Sequence, residues 1–177
     1  MTRTELSQIG EFGLIDRIKS KNKFSNPNTL YAIGDDAAVL DNADGMVRLV
    51  STDLLLEKIH FDLAYMPLKH LGYKAVAVNI SDIAAMNGIP EQITVGLALS
   101  NRFSVEAIDE LYEGIFMACE HYKVDLVGGD TTSSASGLVI SITVIGKAKK
   151  DQVVYRNTAK QGDIVCVTGD LGSAYVG

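Results

Sequence analysis

Five acidic residues lie where apolar runs of this chain end or are interrupted: Asp35, Asp36, Asp53, Asp82 and Asp130. A carboxylate among apolar neighbours is costly unless its charge is compensated, because desolvating an unpaired ion exceeds what one domain can usually absorb. These segments contain almost no Lys or Arg. Mg²⁺, by contrast, accepts one or two carboxylates and keeps positions open for water and phosphate oxygens. The pattern therefore predicts a metal-dependent protein that handles phosphate groups.

Each of these acids also has an ordinary structural interpretation. Asp35 and Asp36 would fit a solvated Gly-Asp-Asp turn, Asp53 would fit the end of a strand, and Asp130 would fit a turn after two glycines. Asp82 is harder to explain in this way, because an Asp inside an apolar helix has poor propensity and poor solvation. The joint pattern carries more weight than any single member.

The composition is that of a folded protein with one substantial core. The chain has 177 residues, 47% hydrophobic and 21% charged, so its length favours one domain with the start of another. A net charge of −6 repels a nucleic-acid backbone and argues against that partner. The first ten residues lack the apolar core of a signal peptide, and no uncharged apolar stretch is long enough to cross a bilayer. We expect a cytoplasmic protein with no membrane partner, in which Cys119 and Cys166 are small buried side chains.

Periodicity and turn residues predict an α/β fold of the α+β type. Helices are predicted at residues 11–18, 67–86 and 104–122, the last capped by Ser104. Strands are predicted at 39–40 and 46–50, joined through Asp44-Gly45, and at 93–99, 124–127 and 138–145. This order favours a mixed, mainly antiparallel sheet with helices packed on one face. The charged run after Gly146 predicts a boundary between a first domain, 1–146, and a segment, 147–177, that is a linker and the start of a second α/β domain. That segment would contain a strand at 164–168 and a turn at 169–172.

Standard nucleotide-binding loops are missing, since the sequence has neither Gly-x-x-x-x-Gly-Lys-Ser/Thr nor a protein-kinase catalytic loop. A triphosphate would therefore have to be held through metal ions. His60 follows closely after Asp53 and is a candidate for substrate contact, with a packed histidine as the alternative. Arg156 is either a phosphate clamp or an ordinary loop arginine.

Six segments of the chain carry distinctive motifs: EFGLI at 11–15, IGDDAA at 33–38, STDLLLEKIHF at 51–61, AVNISDIAAM at 77–86, GGDT at 128–131 and VTGDLG at 167–172. In this order they resemble the motifs of bacterial thiamine-monophosphate kinases, which belong to the superfamily that includes aminoimidazole ribonucleotide synthetase. The resemblance covers essentially the whole chain, but only the amino-terminal half of such an enzyme. Two departures are Lys58, where the family usually has Gly, and Arg156-Asn-Thr-Ala in place of the more usual Arg-Ser-Gly-Ala.

The resemblance implies a phosphotransferase that moves the γ-phosphoryl group of ATP onto thiamine monophosphate, giving thiamine diphosphate and ADP. His60 would face the substrate, and Gly129, Asp130, Arg156 and Tyr112 would contact ATP. Members of the family are dimers whose amino-terminal sheets join into a barrel, and further site residues lie in their second half. This 177-residue piece alone is therefore expected to be inactive. Several Mg²⁺ ions would be held by Asp36, Ser51, Thr52, Asp53, Asp82 and Asp130.

The implied chemistry agrees with the residues. The attacking phosphate monoester has a second pKa of about 6 and is largely a dianion at neutral pH, so no strong general base is required. Metals that neutralise and align two phosphates suit direct transfer, and no nucleophile motif suggests a covalent intermediate. One alternative is another ATP-using member of the superfamily, such as a purine-pathway synthetase or a hydrogenase-maturation protein. A second alternative is a non-catalytic dimer module that binds Mg²⁺ and nucleotide.

Overall fold

The computed structural model describes residues 4–169, 171 and 172. A short 3₁₀ helix, Leu6–Gln8, precedes three α-helices: α1 (Gly10–Lys21), α2 (Leu68–Ala85) and α3 (Val105–Tyr122). The strands of this part of the chain are β1 (Thr29–Tyr31), β2 (Ala38–Asp41), β3 (Met46–Leu56), β4 (Ile89–Leu99), β5 (Asp125–Ser133) and β6 (Val139–Lys149).

The strands form one mixed sheet in the order β1-β2-β3-β6-β4-β5. Only β4 and β5 run parallel, while the other neighbours are antiparallel. The predicted hairpin forms between β2 and β3, and its turn is fastened by the Asp44 carboxylate, which accepts the Met46 N–H at 2.9 Å. The predicted fold class, a mixed and mainly antiparallel sheet with helices, is confirmed.

The hydrophobic core lies between one face of the sheet and α2, with α3 packed on α2. Alternate residues of β3, β4 and β6 are buried on this face, as the two-residue period of a strand requires. The two helices approach closely at Gly72 and Gly114. A Cβ atom on Gly72 would lie 2.0 Å from the Leu111 carbonyl oxygen, and one on Gly114 would lie 1.8 Å from the Lys69 carbonyl oxygen. The two glycines therefore set the distance between α2 and α3.

Helix boundaries follow the sequence closely. The helix predicted at 67–86 is α2, and Pro67 precedes it as its N-cap residue. Ser104 caps α3, since its hydroxyl accepts the Ala107 N–H at 3.3 Å. No helix in the described part of the chain is long and apolar enough to cross a membrane.

Several predicted strand limits were wrong. β3 continues past residue 50 to Leu56, and β5 continues past residue 127 to Ser133, so Asp53 and Asp130 lie inside strands instead of at their ends. β1 was not predicted, because three residues are too few to show a period.

Residues 164–168 do not form the predicted strand, since the described chain offers them no partner strand. They are exposed, with Ile164 and Val165 87% and 92% accessible, and Cys166 is exposed too, contrary to prediction. Cys119 is buried as expected. Asp170 of the predicted turn at 169–172 lies outside the described residues. The division into domains 1–146 and 147–177 stays a prediction.

Candidate functional site

An acidic cavity of about 650 Å³ opens beside β3. Four parts of the chain supply its acids and hydroxyls: α1, the bend between β1 and β2, the middle of β3, and the last turns of α2. One face of α1 and Arg156 close the remaining sides. Six carboxylates face only two cations here. The lining residues are Glu11, Phe12, Ile15, Asp16, Lys19, Ile33, Gly34, Asp35, Asp36, Ser51, Thr52, Asp53, Asp82 and Arg156.

The two adjacent acids of the Gly-Asp-Asp bend have different roles. The side chain of Asp35 is fully buried, and its carboxylate accepts the backbone N–H groups of Asp36 at 3.0 Å and of Arg156 at 3.2 Å. Asp36 pairs with the Arg156 guanidinium, whose Nε also lies 3.8 Å from Asp35. Asp35 therefore fixes the bend and the Arg156 segment, which leaves Asp36 as the member of the pair available to a ligand.

Asp82 projects from α2 toward β3, where the Ser51 hydroxyl donates to its carboxylate at 2.6 Å. Burial raises the pKa of Asp82 above its ordinary value, and the neighbouring carboxylates of Asp53 and Asp36 raise it further, against the opposing effects of the Ser51 hydrogen bond and Arg156. These acids thus sense one another's charge. The crowding is relieved when a cation binds among them.

Asn79 lies one turn before Asp82 and was not identified from the sequence. It is completely buried. Its amide donates to the Ala75 carbonyl at 2.9 Å, and its side-chain oxygen accepts the Asp53 backbone N–H at 3.1 Å. Asn79 therefore holds β3 in register against α2 at the position that presents Asp53. An Asn amid apolar helix residues was the available sequence signal.

The oxygen atoms gathered in the cavity suit a hard divalent cation. Within the described residues, no three His, Cys, Asp or Glu side chains come close enough together to form a protein cage for a metal. Mg²⁺ does not need such a cage, because it usually takes one or two carboxylates and completes its shell with water and substrate phosphate oxygens. Asp36, Asp53 and Asp82 with the Ser51 hydroxyl meet that requirement. The Thr52 hydroxyl is already engaged, since it donates to the Ile142 carbonyl and accepts from Thr143, both at 3.1 Å.

Three predicted ATP contacts come together in a second cavity, of about 480 Å³, between α3 and β5. Tyr112 forms one side, and Gly129 and Asp130 form another. Gly129 approaches β4 so closely that a Cβ atom there would lie 1.9 Å from the Val95 carbonyl oxygen. Burial raises the pKa of the Tyr112 phenol above its ordinary value. This cavity is called the β5 groove below.

Asp130 and Arg156 each lie apart from the residues with which they were predicted to act. Asp53 and Gly129 lie on one row of the sheet, through Ile142 and Val95, but three strand spacings apart, or about 14 Å. Asp130 therefore does not join the acidic cavity within one chain. Arg156, predicted with the ATP group, instead lines the acidic cavity.

His60 lines a third cavity, of about 220 Å³, together with Asp53, Leu54, Leu55, Lys74 and Val78. This cavity is called the His60 groove, and it shares Asp53 with the acidic cavity. The imidazole Nδ1 accepts the Leu56 N–H at 3.0 Å, so Nε2 bears the proton of the neutral ring and is left for another partner.

Lys58 shapes the turn that carries His60. Its φ is +69°, a conformation that glycine adopts without strain, and it stands where the resembling family usually has Gly. The Lys58 N–H donates to the Phe61 carbonyl at 2.7 Å, and its ammonium pairs with Asp62 at 2.8 Å. The turn thus keeps a glycine-type backbone in spite of the substitution.

Comparison with known proteins gives a consistent set of similarities. Residues 34–148 match the family model "AIR synthase related protein, N-terminal domain". The thiamine-monophosphate kinase of Bacillus subtilis (strain 168) is 43% identical over 169 residues, which are 96% of this chain and 52% of that protein. The Aquifex aeolicus (strain VF5) enzyme of the same name is 36% identical over 172 residues, 97% of this chain and 53% of its own. The chain therefore spans about half the length of these curated relatives.

Solved structures show the same similarity. The structure of AaThiL complexed with AMPPCP and TMP superposes with a TM-score of 0.78 at 33% identity, over 90% of this chain and 48% of that one. A chain of the HypE-HypF complex superposes with a TM-score of 0.62 at 23% identity, which shows a common fold alone.

Proposed function

Because the chain belongs to the AIR synthase related proteins, whose N-terminal domain it matches, we propose that it forms the ATP- and metal-binding half of a thiamine-monophosphate kinase. The observation that carries the proposal is the acidic cavity, in which Asp36, Asp53 and Asp82 meet beside the His60 groove. The hydrogenase-maturation alternative has less support, since the HypE-HypF complex resembles this chain in fold alone.

The reaction would join two anions. An oxygen of the thiamine monophosphate dianion attacks the γ-phosphorus of ATP, a P–O bond forms, and the bond to the β,γ-bridging oxygen breaks, which leaves ADP and thiamine diphosphate. The attacking group is largely deprotonated at neutral pH, so no side chain needs to remove a proton. What the protein must supply is alignment of the two phosphates and relief of their repulsion.

The residues divide this task between the cavities. Asp36, Ser51, Asp53 and Asp82 would hold Mg²⁺ in the acidic cavity, with the remaining lone pair of the Thr52 hydroxyl as a further oxygen ligand, and Asp130 would hold it in the β5 groove. Bound Mg²⁺ supplies charge neutralisation of the phosphate oxygens. Asn79 fixes Asp53, and Asp35 fixes Asp36, so the ligands are positioned before substrate arrives.

Substrate contacts would come from the two neighbouring cavities. In the β5 groove, Tyr112 and Gly129 would bind the nucleotide, with Arg156 reaching its phosphates from the acidic cavity. In the His60 groove, Nε2 of His60 would donate a hydrogen bond to thiamine monophosphate. The supporting geometry is that Asp53 lines both the acidic cavity and the His60 groove, so acceptor and metal would meet there.

We also propose that two copies pair through the face of the sheet turned away from α2. Leu54, 57% exposed, and Leu56 lie on this face of β3, and half-buried Val139 and Ile145 lie on the same face of β6, opposite Leu56 and Val50. A second copy would bury this apolar surface. Sedimentation of wild type and Leu54→Glu tests the pairing, and a wild-type monomer would contradict it.

Because ATP is a cytosolic metabolite, we expect the protein in the cytoplasm, which cell fractionation tests.

Binding of ATP should require Mg²⁺, because a protein with a net charge of −6 and no phosphate loop has no other means to neutralise a triphosphate. Calorimetry with Mg²⁺ and with EDTA measures this. Asp53→Asn should weaken Mg-ATP binding at least about tenfold, which corresponds to about 1.4 kcal/mol. The matched control is Asp109→Asn, an exposed acid on α3. Equal ATP affinity in EDTA would contradict the proposal.

A further inference from the structure

Lys74 is the one cation among the residues that line the His60 groove. It lies on α2, two turns before Asp82, and its side chain crosses to the turn after β3. There its ammonium donates to the His60 carbonyl oxygen at 2.9 Å. The groove thus combines one ammonium, one imidazole and the Asp53 carboxylate around a volume of about 220 Å³.

The charge of Lys74 is not neutralised by a carboxylate among the described residues. Four other lysines behave differently, because each forms an ion pair: Lys58 with Asp62, Lys69 with Glu113, Lys147 with Glu91, and Lys150 with Asp41. An ammonium has three donors. The His60 carbonyl uses one of them, which leaves two for an anion in the groove.

The carbonyl contact also fixes where the charge lies. A free lysine on a helix surface samples many rotamers, and holding it costs side-chain entropy when a ligand binds. Here the half-buried Lys74 is already held against the His60 turn. The groove is therefore prepared for an anion before that anion arrives.

A cation beside the acidic cavity would assist the metal in attracting a phosphorylated acceptor. A phosphate monoester carries between one and two negative charges at neutral pH. Its approach to Asp53, Asp36 and Asp82 is repelled to the extent that bound Mg²⁺ leaves the charge of these carboxylates uncompensated. Lys74 lines the His60 groove together with Asp53, so it can add positive charge on that side.

We propose that Lys74 binds the phosphate of the acceptor and selects the phosphorylated form of thiamine over free thiamine. This assignment rests on the proposed function and adds the residue that discriminates between the two. His60 recognises the acceptor through its ring, whereas Lys74 contacts only the phosphate. Loss of His60 should therefore weaken binding of both thiamine monophosphate and thiamine, whereas loss of Lys74 should weaken binding of thiamine monophosphate alone.

The test compares two ligands that differ only in the phosphate. The dissociation constants of thiamine monophosphate and of thiamine are measured by calorimetry, with Mg²⁺ and a non-hydrolysable ATP analogue present, for the complete product of the reading frame that encodes these residues. Variants are Lys74→Gln, which keeps an N–H donor for the His60 carbonyl without the charge, and Lys74→Arg, which restores a charge. The control is Lys69→Gln, on the same helix but paired with Glu113. Turnover of ATP is recorded separately, because it reports the proposed function.

Lys74→Gln should weaken thiamine monophosphate at least about tenfold, or about 1.4 kcal/mol, and leave thiamine within about twofold, while Lys69→Gln changes neither. Lys74→Arg should recover part of the loss. A Lys74→Gln variant with unchanged preference for the phosphorylated ligand overturns the inference but leaves the proposed function standing if wild type turns over. Equal weakening of both ligands also overturns it, since that marks a structural role. A wild type that neither binds thiamine monophosphate nor turns over overturns both.

Discussion

Gly129 gives the sharpest test of the β5 groove, because the structure states what an added methyl group would meet. A Cβ atom at this position would lie 1.9 Å from the Val95 carbonyl oxygen and 2.8 Å from its carbon. Ordinary contact begins near 3.4 Å, so β5 would have to withdraw from β4 by about 1.5 Å in Gly129→Ala. Overpacking of this kind costs about 1–3 kcal/mol, which for a chain of this size lowers the melting temperature by roughly 2–12 °C.

The matched control is Gly128→Ala. A Cβ atom on Gly128 meets nothing within 4 Å, so this variant should stay within about 0.5 kcal/mol of wild type. Thermal melts give the stability, and calorimetry with Mg-ATP gives the affinity. Gly129→Ala should bind ATP at least about tenfold more weakly, since its strand forms one wall of the groove. If it melts and binds like Gly128→Ala, the close approach is refuted. If it is destabilised but binds ATP normally, the β5 groove is not the nucleotide site.

Two further variants test the other cavities. Asp82→Asn should preserve or raise the stability of the metal-free protein and weaken Mg²⁺ binding, because it removes a crowded carboxylate. The pKa of Asp82 is raised above its ordinary value of 3.8 in the folded protein. Protonation of Asp82 therefore stabilises the fold at pH values below 3.8, and this stabilisation is lost as pH rises through the folded pKa. The variant's advantage in melts should therefore grow with pH, and a large loss at pH 7 would indicate a structural acid. In the complete enzyme, His60→Ala should raise KM for thiamine monophosphate with little change for ATP, and equal losses for both substrates would contradict the assignment.

The sequence predicted most of the fold because its local signals agree with one another. Pro67 before an apolar run, Ser104 before another, and Asp44-Gly45 between two short apolar runs each specify local geometry without tertiary information, and the two helix starts and the hairpin were confirmed. Strand lengths were predicted poorly, because β3 and β5 continue through polar residues that only pairing with β6 and β4 holds extended. Residues 164–168 show the converse, since an apolar run without a partner strand stays exposed.

The candidate site was predicted in its residue types but not in its grouping. Asp36, Asp53 and Asp82 come from three separate elements. Their spacing along the chain does not show that Asp36 and Asp53 lie beside α2, nor that Asp130 lies elsewhere. Asp35 and Asp36 are indistinguishable by composition, yet one is a buried structural acid and the other lines the cavity. Lys74 was not predicted as a site residue, because an isolated lysine on a helix belongs to no recognisable sequence motif. Its candidate role depends on contact with the turn at His60, fourteen residues earlier, and only the fold brings the two together.

Transfer of phosphate to thiamine monophosphate is the most direct test of the function proposed here. The complete product of the reading frame is incubated with ATP, thiamine monophosphate and Mg²⁺, and ³¹P NMR follows the products. We expect ADP and thiamine diphosphate in equal amounts, no product in EDTA, and none from free thiamine, which lacks the attacking phosphate. Hydrolysis of ATP without thiamine diphosphate, or no consumption of ATP by a folded protein saturated with Mg²⁺, would contradict the assignment.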